Sequence, residues 1–470
     1  MRALLIFLFG IYLFRISHIV FYPFDLTPEE AQYWDWSRHL DISYYSKPPM
    51  VAYLNAISSA IFGISELSVR LVPILLSFIL SIASFIYLKR HIGEDRALKF
   101  VIVAQLSLGM SLNSMLATTD APLLFFWTLG VFAINSAINQ SSLWRWFLVG
   151  TLFGLAFLSK FSAVLWILCA ALLILIRRRE LIKSFGPYIS VLTFGFFTLP
   201  VIFWNLKHDF VAFRHVSGLA SKGSGIRFEG PIEFILSQTL MMSVLPFLLM
   251  VFGFIRLWKD KRFEVFIFFS LPVFIFFTVL SIFTNVEANW AGPALVGGLI
   301  LASYFISGLA LWAYVFLSLI ILTAVYFSPV FDKLGLSEIL PPNKDPAKVG
   351  IGWKSLGEAV SSLRVNKEAI VTPHYQIAAQ LAFYVKSNPR TYCVNLGRRM
   401  NQYDLWEKNY QGDAIFVDNK PIQDIILKSS DGIDKSYVHC LSWRGEVIRC
   451  FYIYRLKNLR KIQEVKPERF

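Results

Sequence analysis

Long apolar runs recur along this chain. They lie at roughly 3–22, 66–88, 97–116, 121–139, 144–158, 162–176, 186–204, 231–256, 263–283, 290–307 and 310–327, and they carry few charges. About twenty apolar residues are needed for a helix to cross a bilayer, because lipid offers no partner to a bare backbone. The pattern predicts a polytopic α-helical membrane protein of about eleven transmembrane helices. Composition agrees: of 470 residues, 56% are hydrophobic and 16% charged, against about 25% charged in soluble domains. The first run holds Arg15 and has no small-residue cleavage site, so it reads as a retained span rather than a signal peptide.

The formal net charge of +14 has a topological explanation. Basic residues gather in three short loops: Lys89, Arg90, Arg96 and Lys99; Arg177, Arg178, Arg179 and Lys183; Arg256, Lys259, Lys261 and Arg262. With eleven spans all three loops fall on one side, which the positive-inside rule makes cytoplasmic. Nucleic acid is therefore not an expected partner. The expected location is the cytoplasmic (inner) membrane, multi-pass, with the N-terminus inside. Loops 23–65, 117–120, 205–230 and 284–289 then face outward, as does everything after about residue 328. Loop 205–230 runs against the rule with Lys207, Arg214, Lys222 and Arg227, which points to an anionic ligand.

From about residue 331 the character changes. Short β-rich runs, 414–417 and 447–454, alternate with helical stretches at 357–363 and 376–385. The expected division is a transmembrane part over 1–330, with its first outer loop at 23–65, and a small extracytoplasmic α/β domain over 331–470. Leu340-Pro-Pro-Asn-Lys-Asp-Pro346 would link them. Cys169 lies in an apolar run and reads as packing. Cys393, Cys440 and Cys450 lie in the tail, where an oxidising location would permit one disulfide of unspecified pairing.

The first outer loop concentrates the chemistry. Thr27-Pro28-Glu29-Glu30 is a helix start, with Thr27 as cap, Pro28 at the first position and Glu30 completing a capping box. Glu30 is thus either structural or acidic machinery, whereas Glu29 has no capping duty. Partial desolvation beside Tyr33, Trp34 and Trp36 would suit Glu29 to act as a general base. The aromatics read either as an interfacial belt or, with Tyr45, as a platform for a sugar or acceptor. Arg38 and His39 either assist or are solvated helix residues. Lys47, on the stiff Lys47-Pro48-Pro49 turn, suits a lipid phosphate, the alternative being simple snorkelling.

Asp120, in Thr118-Thr-Asp-Ala-Pro122, is either a helix cap or a second carboxylate at the same membrane face. Lys207, His208 and Arg214 can hold a phosphate or diphosphate, and His208 also joins the candidate sugar platform. His208 with Asp209 is too small a set to define a metal site. No cofactor is assigned, and a divalent metal remains allowed. Asn289-Trp290 reads as an interfacial anchor.

At these residues the chain resembles glycosyltransferase family 39 in its bacterial branch, which is related to protein mannosyltransferases and the lipid A aminoarabinose transferase. The matching elements are Pro28-Glu-Glu-Ala31 with Tyr33-Trp34, Tyr44-Tyr45 with Lys47-Pro-Pro49, and Thr119-Asp-Ala-Pro122. Trp204-Asn205 with His208-Asp209, Asn289-Trp290, and Asn401-Gln-Tyr-Asp404 with Trp406 continue the series in order. The resemblance implies the GT-C fold, an active site at the outer loops and an inverting transfer from a polyprenyl-phosphate sugar. The acceptor would be a glycolipid, a glycan or a protein. The family's acidic pair usually begins with Asp, and Glu29 here is one methylene longer. Ser46 stands where the aminoarabinose transferase has an acidic residue, which argues against a metal site there. Lys47 matches the phosphate-facing lysine.

In this reading Glu29 is the base, Asp120 positions the acceptor or shares that role, and Lys47 with Arg214 or Lys207 holds the leaving phosphate. A lipid-linked glycan transporter or flippase is the competing class, although no internal repeat supports it. A ligase or polymerase using a diphosphate carrier is the alternative enzyme. The orientation is directly testable. Alkaline phosphatase fused after residue 345 should be active in an exporting host, and fusions after residues 183 or 262 inactive. The reverse pattern would overturn it.

Overall fold

The computed structural model describes residues 2–22, 24–140, 142–220 and 225–465. Helical structure occurs at all eleven expected segments. Five helices are long and apolar enough to cross a membrane: Arg2–Phe21, Glu66–Ile92, Asp120–Asn139, Phe185–Lys207 and Gly308–Tyr326. The expected span at 231–256 is not straight. It divides into Gly230–Met242 and Val244–Arg256, bent by 108°. Ser243 at the break has φ 71, a left-handed conformation that cannot continue a helix. Pro246 follows within the first turn of the second piece, where its missing N–H costs nothing. The segment at 97–116 breaks similarly at Ser107, whose ψ of 140 is extended.

The chain forms two compact units, the first Met1–Ser17, Asp41–Val51 and Arg70–Leu322, the second His18–Leu40, Ala52–Val69 and Thr323–Phe470. The first unit is a helical assembly with apolar side chains turned outward. Ile6, Phe9, Leu192, Phe196, Leu309 and Trp312 are each at least 70% exposed, a surface suited to lipid. Arg15 inside it is hydrogen-bonded: it is 1% exposed and donates to the Gln105 side chain at 2.5 Å, the Gln105 carbonyl at 3.2 Å and Ser111 Oγ at 3.3 Å. Helix Leu143–Ser159 packs closely on Phe185–Lys207. At Gly150 an added Cβ would run into the Ser190 carbonyl oxygen and Thr193, and Ser190 Oγ donates to the Trp146 carbonyl at 2.8 Å. Small residues permit such approach, and here dispersion and hydrogen bonding hold helices that lipid does not drive together.

The second unit contains a five-stranded sheet: β1 (Ala369–Thr372), β2 (Thr391–Cys393), β3 (Gly412–Asp418), β4 (Ile433–Trp443) and β5 (Glu446–Leu459), in the order β2-β1-β3-β5-β4. β1 pairs in parallel with β2 and β3, and β5 is antiparallel to β3 and β4. Alternation in β3 supplies both faces of the sheet. Ile415 and Val417 join Trp353, Leu356, Val360, Ile377 and Leu381 from helices Trp353–Leu363 and Tyr375–Tyr384. Ala414 and Phe416 join Val371, Ile426, Tyr454 and Leu456 on the other face. Cys440 and Cys450 form a disulfide across the β4–β5 hairpin, and Cys393 is buried and free. The proline-rich segment at 340–346 folds as short 3-10 turns, Pro342–Lys344 and Pro346–Gly350.

Gly150→Ala should separate two helices and cost roughly 1–3 kcal/mol through overpacking. A lowered midpoint of thermal unfolding in detergent would show it, and an unchanged midpoint would refute the close approach.

Candidate active site

In the second unit the acidic loop becomes the helix Pro28–Ser37. Thr27 N–H donates to Glu30 Oε2 at 2.9 Å, and Glu30 N–H donates to Thr27 Oγ1 at 3.4 Å. The capping box is complete, and Glu30, 0% exposed, is engaged in it, as the structural reading of that residue expects. Glu29 lies in the same turn beside Tyr375. Burial raises the Tyr375 hydroxyl above its usual range, and the Glu29 charge adds to that rise.

The aromatic residues after Glu30 are neither an open platform nor a belt. Tyr33, Trp34 and Trp36 are 3%, 1% and 0% exposed. Trp34 meets the Phe383 ring edge-on at 4.9 Å. Indole and phenol rings bury large apolar area, and here that area is used to seat the helix on Tyr375–Tyr384. Its far end is fastened as well. Tyr403 Oη donates to Asp35 Oδ2 at 2.6 Å. Arg38 donates to Asp35 and to the Pro389 and Asn388 carbonyls at 3.3, 3.3 and 3.0 Å. Burial pushes the Asp35 carboxyl up, while Arg38 and Tyr403 pull it down. His39 rests at 4.5 Å from Trp406, and burial lowers its pKa to about 4. Arg38 is exposed yet held by these bonds, and His39 is half-buried.

The first unit holds the other acidic position. Asp120 opens the helix Asp120–Asn139 and is 4% exposed. Its Oδ1 pairs with Lys160 Nζ at 2.6 Å, and its Oδ2 accepts from Asn289 Nδ2 at 2.8 Å. Lys160 terminates Leu143–Ser159, and Asn289 sits in the 3-10 turn Ala288–Ala291. Three helix ends therefore converge on one carboxylate. Sequence reasoning missed Lys160, although a lone lysine in the three-residue gap between the apolar runs 144–158 and 162–176 carries the same signal as Asp120.

Ring contacts run on from Lys160. Phe161 lies 5.8 Å from Phe213, which adjoins Arg214 and His215, and His215 meets Tyr45 at 4.8 Å. Tyr45 is 2% exposed, so it too lines the interior rather than offering a free face. The turn that carries Lys47 is closed by Tyr44 N–H donating to the Lys47 carbonyl at 3.0 Å, and Lys47 is half-buried.

Trp204 Nε1 donates to Asp41 Oδ2 at 2.8 Å, a residue the sequence reading did not single out. His208 stacks on Trp204 at 4.1 Å and its Nδ1 meets the Trp204 carbonyl at 2.8 Å. The next two residues, Asp209 and Phe210, have φ 52 and 57, a sharp turn of the kind found at constrained sites. Lys207 and Arg214 are exposed. Arg227 is engaged by Glu233 at 2.7 Å and Asn285 at 3.0 Å. Lys222 lies outside the described residues. Among the described residues no three His, Cys, Asp or Glu side chains are grouped to hold a metal ion.

Residues 46–204 match the family model described as dolichyl-phosphate-mannose-protein mannosyltransferase. That span takes in Lys47, Asp120 and Lys160 but not Glu29. The lipid A galacturonosyltransferase RgtD of Rhizobium johnstonii is 29% identical over 314 residues, 65% of this chain and 66% of that protein. The arabinosyl transferase 2 of Proteus mirabilis, named for undecaprenyl phosphate-α-4-amino-4-deoxy-L-arabinose, is 24% identical over 57% of this chain and 53% of its own length. The chain thus spans just under two thirds of the first curated relative and about half of this one.

The crystal structure of apo ArnT from Cupriavidus metallidurans aligns over 96% of this chain and 98% of its own, with TM-score 0.66 and 14% identity. The same protein bound to undecaprenyl phosphate aligns with TM-score 0.62 and 15% identity, covering 98% and 99% of the two chains. The likeness to ArnT over nearly the whole chain shows the fold. It is a multi-pass membrane protein with the GT-C fold.

Lys160→Met should strand the Asp120 carboxylate and destabilise the protein by about 3–5 kcal/mol, while Lys160→Met with Asp120→Leu should recover most of that loss. Thermal unfolding of the purified variants reads both. A double variant no more stable than the single one would contradict a buried, mutually dependent pair.

Proposed function

We propose that this protein is a family-39-like glycosyltransferase that transfers a sugar from an undecaprenyl-phosphate carrier to a lipid A-type glycolipid, with inversion, at the outer face of the cytoplasmic membrane. The observation that supports it most is the polar seam in the first unit: Asp120, Lys160 and Asn289, joined through Phe161 and Phe213 to the segment of Arg214, His215 and Tyr45. It sets cations and aromatic rings together in an assembly whose outward surface is apolar, as a phosphate headgroup with a prenyl tail requires. The names of the two curated relatives support the donor and the acceptor.

Glu29 takes the proton from the acceptor hydroxyl. The acceptor oxygen attacks the anomeric carbon from the side opposite the phosphate, and the bond from that carbon to the phosphate oxygen breaks with its electron pair. The leaving lipid phosphate needs no proton if Lys47, helped by Arg214 or Lys207, holds its charge. Both Asp120 oxygens are engaged, by Lys160 and Asn289. That arrangement suits holding a cation and the acceptor rather than removing a proton.

With purified protein, undecaprenyl-phosphate-linked galacturonate or 4-amino-4-deoxyarabinose, and lipid A, sugar should appear on lipid A. Glu29→Gln should lower turnover by about a hundredfold or more, as loss of a general base does. Lys47→Ala should weaken donor use. Full activity in Glu29→Gln would sink the assignment of the base, and transfer to no lipid acceptor would sink that of the acceptor.

A further inference from the structure

The segment that leads into Glu29 is gripped by the C-terminal sheet domain through one hydroxyl and one amide. Leu26 N–H donates to Tyr384 Oη at 2.7 Å, and Gln380 Nε2 donates to the Leu26 carbonyl at 2.6 Å. Both backbone groups of Leu26 are thereby fixed by side chains one turn apart on Tyr375–Tyr384. The same Tyr384 hydroxyl donates to Glu66 Oε1 at 2.6 Å, so a single oxygen joins three segments of the second unit. Tyr384 is itself held in place. An added Cβ at Gly357 would strike its backbone and Cβ, so a glycine is what lets helix Trp353–Leu363 approach that close. Burial pushes the Tyr384 hydroxyl pKa up, which keeps the proton it gives to Glu66.

Leu26 is followed at once by the Thr27 cap, whose two hydrogen bonds to Glu30 set the first helical turn. Glu29 lies between those bonded residues, so the orientation of Leu26 passes to Glu29 with few soft dihedrals between. We propose that Tyr384 and Gln380 are positioning residues for the transfer reaction: the C-terminal domain sets where Glu29 stands by holding Leu26. This rests on Glu29 being the base. A base displaced by about 1 Å loses up to a hundredfold in rate while ground-state binding is little changed.

The test uses full-length protein in nanodiscs, Tyr384→Phe as the first variant and Gln380→Ala as the second in case the first unfolds. Hydrogen exchange of a peptide covering 24–31 needs no substrate. Exchange at Leu26 should rise about tenfold in Tyr384→Phe, as a local opening does, without global unfolding. In the transfer assay kcat should fall about tenfold with the KM for the undecaprenyl-phosphate sugar within about twofold. Glu29→Gln/Tyr384→Phe should be no slower than Glu29→Gln alone, because the second change acts only through a base already removed. Unchanged exchange at Leu26 in both variants, or losses that multiply in the double variant, would overturn the proposal. A fully active Glu29→Gln would instead overturn the base assignment, and exchange at Leu26 would then test the grip by itself.

Discussion

An ionised side chain in an apolar surrounding must find a partner, and this molecule is arranged around that constraint. Desolvating a charge costs several kcal/mol even after relaxation, and several buried charges here recruit groups from distant segments. Arg15 gathers Gln105 and Ser111. Asp120 gathers Lys160 and Asn289 from two other helix ends. Arg178 meets Glu264 at 2.5 Å. Each pairing fixes which helices are neighbours with a directionality that lipid-facing packing lacks. The Asp120 cluster differs in standing where three helices terminate, so its polar groups meet at an end of the assembly rather than at mid-span.

The second unit meets the same constraint in a different way. Asp35 is buried and takes hydrogen bonds from Tyr403 and Arg38, and Asp345 takes them from Trp443 and Arg444 at 2.8 and 3.3 Å. Here the paired charges fasten the helix Pro28–Ser37 and the segment around Asp345 to the sheet domain. A loop of mixed polarity would otherwise lose its conformational entropy without compensation. The rings of Tyr33, Trp34 and Trp36 supply that compensation in buried apolar area.

Much of this was legible in the sequence because its signals are local. Run length gives the helices, and Thr27-Pro28-Glu29-Glu30 spells a capping box that forms as read. The β runs at 414–417 and 447–454 fall inside β3 and β5. What was not legible depends on partners far away in sequence. Nothing near Ser243 announces a bend of 108°, since φ there is set by packing rather than by residue type. The burial of Tyr33 and Trp34 could not be read, because an aromatic cluster at a membrane loop looks the same whether it faces lipid, a sugar or a sheet domain. Lys160 was overlooked because it stands alone, and its meaning comes from Asp120, far earlier in the chain.

The residues assigned to chemistry therefore divide by how they are held. Asp120 is held by side chains from neighbouring helix ends, so its position is as stiff as the helical assembly. Glu29 is held indirectly, through the backbone of Leu26 and the cap at Thr27. Removing the Asp120 carboxylate would leave Lys160 unpaired in an apolar setting. The sequence motifs alone, which present both as carboxylates at helix starts, do not reveal that difference in support.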